Sequence, residues 1–338
     1  MNPGQSLIWT EIDYDRPGKQ VGCLHLPHSV TRSAYGVIPI PIAVMRHGSG
    51  PTILLMAGNH GDEYEGQIAL TRFVRAVDPG ALQGRIIVLP AANLPAALAG
   101  TRTSPIDGGN LNRSFPGDPD RGPTAAIAHY IDSVLYPIAD AMHDYHAGGS
   151  SLHYLTFASA RLSGDPDLDR RALAALKAFA PPLAQVWAAT FDPRLSHAAA
   201  NARKIVALGG EFGGAGDVSI DGIRLIEAGM RRFLAHFGVM ELPKDAPAPP
   251  ATRFVEVKDR SYYVYAPERG IFEPLVRLGD EVEAGQPAAR VHFVENPARE
   301  PVLCHFRNAG LVICRRAIGR CEPGDCLFHL ATGTRTPA

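Results

Sequence analysis

The chain has 338 residues, 34 of them glycine and 29 proline, and its 33 basic and 34 acidic side chains leave a formal net charge of -1. A near-neutral balance excludes proteins built to grip nucleic acid or an anionic membrane surface, which need a basic excess, and leaves a small molecule as the expected partner. The length suits about two domains and a large core, at a prior of ~150 residues per domain, and so much glycine and proline argues against a helical bundle.

Residues 1–16 carry acidic side chains and no long apolar run, so they do not read as a secretory signal, and the expected location is cytoplasmic. Apolar runs over residues 53–57, 85–90, 155–158, 185–190 and 204–208 predict strands. Amphipathic segments over residues 63–77, 124–142, 168–179 and 217–237 predict helices. Their alternation implies an α/β fold, a mixed, mostly parallel sheet with helices on both faces. The longest apolar stretch, residues 86–100, is broken by Pro90, Asn93 and Pro95 and is too short to span a bilayer. The first domain is therefore placed at residues 1–242. Residues 243–253, with Pro243, Pro247, Pro249 and Pro250, read as a stiff linker.

Residues 254–332 hold an internal repeat. Gly270-Ile271, Leu278-Gly279-Asp280 and Ala284-Gly285 are echoed about 40 residues later by Gly310-Leu311, Ile318-Gly319-Arg320 and Pro323-Gly324-Asp325. This duplication resembles the barrel-sandwich fold of lipoyl and biotinyl carrier domains. A carrier needs a lysine at its hairpin, and none follows Lys258, so no covalent cofactor is expected on this small all-β domain. It is read instead as a wall, a lid or a contact in a homo-oligomer. Tyr262, Tyr263 and Tyr265 could reach toward a substrate, although alternating tyrosines on a strand more often serve packing. Cys23 stands alone, and Cys304, Cys314, Cys321 and Cys326 form no Cys-x-x-Cys pair, which predicts reduced thiols.

The run Gly58-Asn59-His60-Gly61-Asp62-Glu63 places a histidine and a glutamate three residues apart where a strand gives way to a helix. That spacing is close to one helical turn, so imidazole and carboxylate can face one zinc ion. A third ligand is offered by His146 in Asp144-Tyr145-His146-Ala147-Gly148-Gly149, with His153 as its rival. His146 is preferred because the glycines after it let a substrate or another backbone segment approach closely. Asp144 would lie on the same side of an extended strand as His146 and could orient it.

Together with Asp107-Gly108-Gly109-Asn110-Leu111-Asn112-Arg113-Ser114-Phe115-Pro116-Gly117 and with Glu211 in Gly209-Gly210-Glu211-Phe212-Gly213-Gly214, these motifs occur in the order expected of one family. Over residues 40–240 the chain resembles the succinylglutamate desuccinylases and aspartoacylases, which are similar to the zinc carboxypeptidases. The resemblance implies one Zn2+ on His60, Glu63 and His146, where the metal lowers the pKa of a bound water toward about 7. It implies Glu211 as the general base that takes the proton of that water and passes it to the departing amine. It implies Asn112 and Arg113 as the substrate's carboxylate clamp, Arg113 through its planar fork, and Arg102 as the group that polarises the scissile carbonyl. Asn110, after two glycines, suits a turn equally well.

The expected reaction is removal of a short acyl group from an N-acyl amino acid. Residues 104–113 and the chain length are most similar to the branch that includes N-acetyl-diaminobutyrate deacetylase of ectoine breakdown. A cationic substrate side chain would need an acidic partner, with Asp107, Asp118 and Asp120 nearby in sequence. Two other readings are a metallocarboxypeptidase acting on peptides and a non-catalytic binding protein that kept the fold.

Overall fold

A computed structural model of the chain describes residues 6–187, 192–249 and 251–334. The first half opens with β1 (Gly18–Pro27), β2 (Val37–His47), β3 (Thr52–Ala57), α1 (Tyr64–Ala76), β4 (Gly84–Leu89) and α2 (Leu94–Ala99). There follow α3 (Pro123–Tyr130), β5 (Ala141–His146), β6 (Leu152–Tyr154), β7 (Phe157–Arg161), α4 (Pro166–Phe179), β8 (Leu183–Trp187), α5 (Ser196–Ala202), β9 (Val206–Glu211) and α6 (Ile220–His236). Strands β4, β3, β5 and β9 run parallel side by side, and β1 and β2 extend them antiparallel at one edge. Beyond β9, β7 is antiparallel and β8 is parallel to β7, which makes the sheet mixed.

Helices cover both faces of this sheet. Along β3, Ile53, Leu55 and Ala57 pack with Phe73 of α1, Leu176 of α4 and Phe233 of α6. Leu54 and Met56 point the other way, toward Ile127 of α3 and Ala199 of α5. A strand buried on both sides needs no polar alternation, and β3 has none. Each large apolar side chain so buried contributes roughly 1.5–3 kcal/mol. Local signals agree with the packing: Asp165 caps α4 by accepting from the backbone N–H groups of Asp167 and Leu168, and Pro166 occupies its first turn.

Several predicted limits move. The helix expected over residues 124–142 ends earlier: α3 passes into a π turn at Ile131–Leu135 and a 3-10 turn at Tyr136–Ile138, where Pro137 cannot donate, and β5 starts at Ala141. The strand expected at 204–208 runs instead from Val206 to Glu211, because Lys204 sits at φ +64, a conformation no strand residue adopts. The strand at 155–158 is displaced to β7, and residues 188–190 of the strand expected at 185–190 lie outside the described residues. Strands β1 and β2 and helices α2 and α5 appear where no element was expected.

The second half contains β10 (Arg253–Glu256), β11 (Tyr263–Tyr265), β12 (Gly270–Pro274), β13 (Glu281–Val282), β14 (Pro287–His292), β15 (Val302–His305), β16 (Gly310–Arg316), β17 (Arg320–Cys321) and β18 (Cys326–Gly333). The repeat is visible in the pairing: β12 pairs β14 and β17, while its counterpart β16 pairs β18 and β13. A small antiparallel sheet, β15-β14-β12-β17, results. The other strands continue the large sheet, since β10 pairs β8 in parallel and β18 antiparallel. Strand β6, six residues past His146, pairs β16, so this half is tied to the backbone beside the candidate site. Among the described residues, no helix is long and apolar enough to cross a membrane.

Candidate active site

Strand β3 is followed by Gly58 at φ +67, where a Cβ would lie 2.8 Å from the Ala91 backbone, and the chain turns there toward α1. Glu63 is the residue before α1, and His60 and Glu63 are both buried. His146 is the last residue of β5 and is also buried. The two oxygens of Glu63 each face one ring nitrogen: Oε1 is 2.7 Å from His60 Nδ1, and Oε2 is 2.8 Å from His146 Nδ1. Ala147 N–H also donates to Oε2. Ligand atoms of the three residues lie within 4.8 Å of one another.

The far nitrogens are engaged as well. His60 Nε2 is 3.1 Å from Asn110 Oδ1, and His146 Nε2 is 3.0 Å from Asp144 Oδ2. Asn110 and Asp144 thus engage the Nε2 nitrogens while both Nδ1 nitrogens face Glu63, so neutral imidazoles with Nε2–H donating outward would present their Nδ1 lone pairs to a cation. Two imidazoles and a carboxylate are a donor set suited to zinc. Asn110 therefore holds His60 rather than serving only a turn. The rival ligand His153 lies on β6 opposite Arg315, outside this cluster.

The electrostatics follow from burial and proximity. Burial pushes the Glu63 carboxyl up, but His60 and His146 outweigh it and hold that carboxyl well below the usual carboxylate range. Asp144 is fully buried, which raises its pKa, yet His146 and the hydrogen bond from Ser196 bring it down to about 2. Burial lowers the His146 pKa, and the carboxylates of Asp144 and Glu63 more than reverse this.

Glu211 ends β9 directly beside His146 in register, so the two side chains share one face of the sheet. Burial and then the charge of Glu63 push the Glu211 carboxyl well above its ordinary value. Its Oε2 is buried without a hydrogen-bond partner, and Glu211 forms no salt bridge among the described residues. A carboxyl whose Oε2 has no partner, and whose raised pKa makes its ionised form a stronger base, is suited to accept a proton and return it.

Around these groups lies a cavity of about 530 Å³. Arg102 and Arg113 both line it and are half-exposed. Arg102 Nη1 is 3.4 Å from Glu63 Oε1, beside the cluster. Arg113 donates to the Asn112 carbonyl and sits 3.6 Å from Asp192 Oδ2. Asn112 is buried, with Nδ2 3.3 Å from His146 Nε2. None of the acidic loop residues considered from sequence lines the cavity. Asp107 instead accepts from Gly109 N–H, Thr124 N–H and Thr124 Oγ1 and braces the loop, while Asp118 accepts from Asp120 N–H in a turn. The carboxylate at the rim is Asp192.

Other lining residues carried no sequence motif. Arg161 extends from β7 with its guanidinium 5.3 Å over the Trp187 ring, and burial lowers its pKa to about 10. Tyr263 reaches the cavity from the second half of the chain, unlike Tyr262, which is packed in the core of that half. Asn59, inside the first motif, donates to Asp144 Oδ2. Only the placement of Asn59 beside His60 could have drawn attention to it; Arg161 and Tyr263 arrive on β7 and β11, and Asp192 in the segment before α5.

The succinylglutamate desuccinylase/aspartoacylase catalytic domain matches residues 49–237. The chain is similar to Nα-acetyl-L-2,4-diaminobutyric acid deacetylase of Halomonas elongata, with 39% identity over 97% of each chain. A crystal structure of a succinylglutamate desuccinylase/aspartoacylase from Rhodobacter sphaeroides superimposes with a TM-score of 0.92 at 39% identity, covering 98% of this chain and 100% of the other. The product-bound ectoine utilization protein EutE (DoeB) from Ruegeria pomeroyi gives 0.93 at 37% identity, covering 97% and 99%. The chain belongs to the succinylglutamate desuccinylase/aspartoacylase family of deacylases.

Proposed function

We propose that this protein is a zinc-dependent deacylase of small N-acyl amino acids, with Nα-acetyl-diaminobutyrate as its substrate. The observation that carries the reading is the pairing of a His60–Glu63–His146 cluster with Glu211, whose Oε2 is buried without a hydrogen-bond partner. The substrate assignment is supported by the Halomonas elongata relative. Zinc held by the three residues supplies Lewis acidity toward the acyl carbonyl and toward water.

The chain's own residues do the rest. Asn112 and Arg113 bind the substrate's α-carboxylate, and Arg113 suits it because a guanidinium fork can hold both oxygens. Arg102 stands beside the place where the carbonyl oxygen gathers negative charge, and stabilises it. Glu211 takes a proton from the attacking water as the new C–O bond forms, then delivers it to the nitrogen as the C–N bond breaks. The products are a carboxylate and a free amine. Asp192 gives a cationic substrate side chain a carboxylate near the clamp. Tyr154, Phe157, Trp187 and Tyr263 line the cavity wall and exclude water from it.

Release of free amine from N-acetyl, N-succinyl and N-formyl amino acids, with Nα-acetyl-diaminobutyrate among them, tests this reading. Cleavage of the diaminobutyrate derivative in preference to the others is expected. Cleavage of peptides alone would replace the reading with a carboxypeptidase. Ligand binding without turnover, unchanged in His60→Ala, would replace it with a binding protein.

A further inference from the structure

The cluster and the carboxylate clamp come from separate parts of the chain: the turn after β3, the end of β5 and the loop over residues 102–117. One buried residue joins them. Ser196 opens α5, and its Oγ donates to Asp144 Oδ2 at 2.6 Å. Its backbone N–H donates to Asn112 Oδ1 at 2.9 Å. Its carbonyl accepts from Tyr136 Oη at 3.1 Å, so the serine is fixed on three sides. The hydroxyl is not spent on its own helix, because the residue before α5 is Leu195 and the helix has no side-chain cap.

We propose that Ser196 is a positioning residue that locks two parts of the site together. Through its hydroxyl it fixes the carboxylate that orients His146. Through its N–H it fixes Asn112 beside Arg113. The stretch around it supports this role: Asp192 stands at the rim, and Leu195 and His197 line the cavity on either side of the serine. His197 is seated against Gly209, where a Cβ would meet its Nε2 at 2.4 Å. The proposal rests on the metal-site reading given above.

Three variants separate the two contacts. Ser196→Ala removes only the hydroxyl, and Ser196→Thr restores it. Ser196→Pro removes the N–H as well, at a first helical position that suits proline and after a Leu195 already extended at φ -78, ψ 147. Zinc affinity is read by competition with a chromogenic chelator on full-length protein, alongside steady-state kinetics and melting of the zinc-free form. Ser196→Ala is expected to bind zinc on the order of tenfold more weakly, as for other partners of metal-ligating histidines, with Ser196→Thr close to wild type. KM is expected to hold in Ser196→Ala and to rise in Ser196→Pro, while the zinc-free melting temperature of Ser196→Ala stays at the wild-type value. Wild-type zinc affinity in Ser196→Ala, or equal losses in the Ala and Thr variants with a lowered zinc-free melting temperature, would overturn the proposal. Wild-type protein that takes up no zinc would overturn the metal reading itself.

Discussion

At the scale of single residues, the site depends on which polar groups are satisfied and which are left free. His60 and His146 have their outer nitrogens occupied by Asn110 and Asp144, whereas Glu211 has a buried oxygen with no partner. The first arrangement fixes geometry and the second leaves a group available for chemistry. Asp192 is the residue whose role can be read through selectivity. Its pKa is drawn to about 2 first by its hydrogen bond from Arg194, so it is ionised at any working pH. Asp192→Asn is expected to raise KM for Nα-acetyl-diaminobutyrate several-fold more than for Nα-acetyl-2-aminobutyrate, which lacks the side-chain amine. Equal changes for the two substrates would remove Asp192 from the recognition of the cation.

At the scale of elements, close backbone approach carries the burden. Helix α1 lies directly on the sheet at Gly66, where a Cβ would come within 2.6 Å of Tyr145 Cβ and 2.9 Å of Ala57 Cβ. Gly66→Ala should force α1 away from β3 and β5 and destabilise the fold by about 1–3 kcal/mol. Because Glu63 immediately precedes this helix, zinc affinity should fall in the same variant. Urea unfolding together with chelator competition checks both, and an unchanged unfolding midpoint would show that α1 has room to spare.

What was legible in the sequence divides along the same physical lines. Residues 63–77 and 168–179 were readable because each presents one apolar stripe and charged residues elsewhere. Residues 141 and 142, the first two of β5, fall within the predicted helix because a strand buried on both faces has no alternation to distinguish it. The cluster His60, Glu63 and His146 was legible from ordered motifs, as was Glu211. Ser196, Asp192 and Arg161 are not, since each acts through a contact between segments distant in sequence, and Tyr263 is singled out only together with Tyr262 and Tyr265.

At the scale of the whole molecule, the two halves of the chain share one sheet. Strand β10 lies against β8, and β16 lies against β6, which carries the backbone leaving His146. Tyr263 is held in this seam by His329, whose ring stacks on it at 4.1 Å, and Trp187 packs on the same imidazole. His329 is buried with both nitrogens unpartnered, and burial lowers its pKa from 6.5 to about 3. The unfolded chain therefore binds a proton at a pH where the folded chain does not. The resulting stability is complete above about pH 6.5 and is lost as pH falls toward 3. His329→Leu should flatten the acid limb of the melting temperature against pH between those values. An identical slope in wild type and variant would place the acid sensitivity elsewhere.

In the proposed reaction the His60–Glu63–His146 cluster and the Glu211 carboxyl together hydrolyse an amide. The most direct test is amine release from Nα-acetyl-diaminobutyrate by zinc-loaded wild type and Glu211→Gln, with zinc content measured in both. Removal of a proton-transfer group costs roughly 10²–10⁴-fold, so the variant should lose activity on that scale while keeping its zinc. A variant that turns over at the wild-type rate with zinc bound would remove Glu211 from the proton transfer and overturn the proposed reaction.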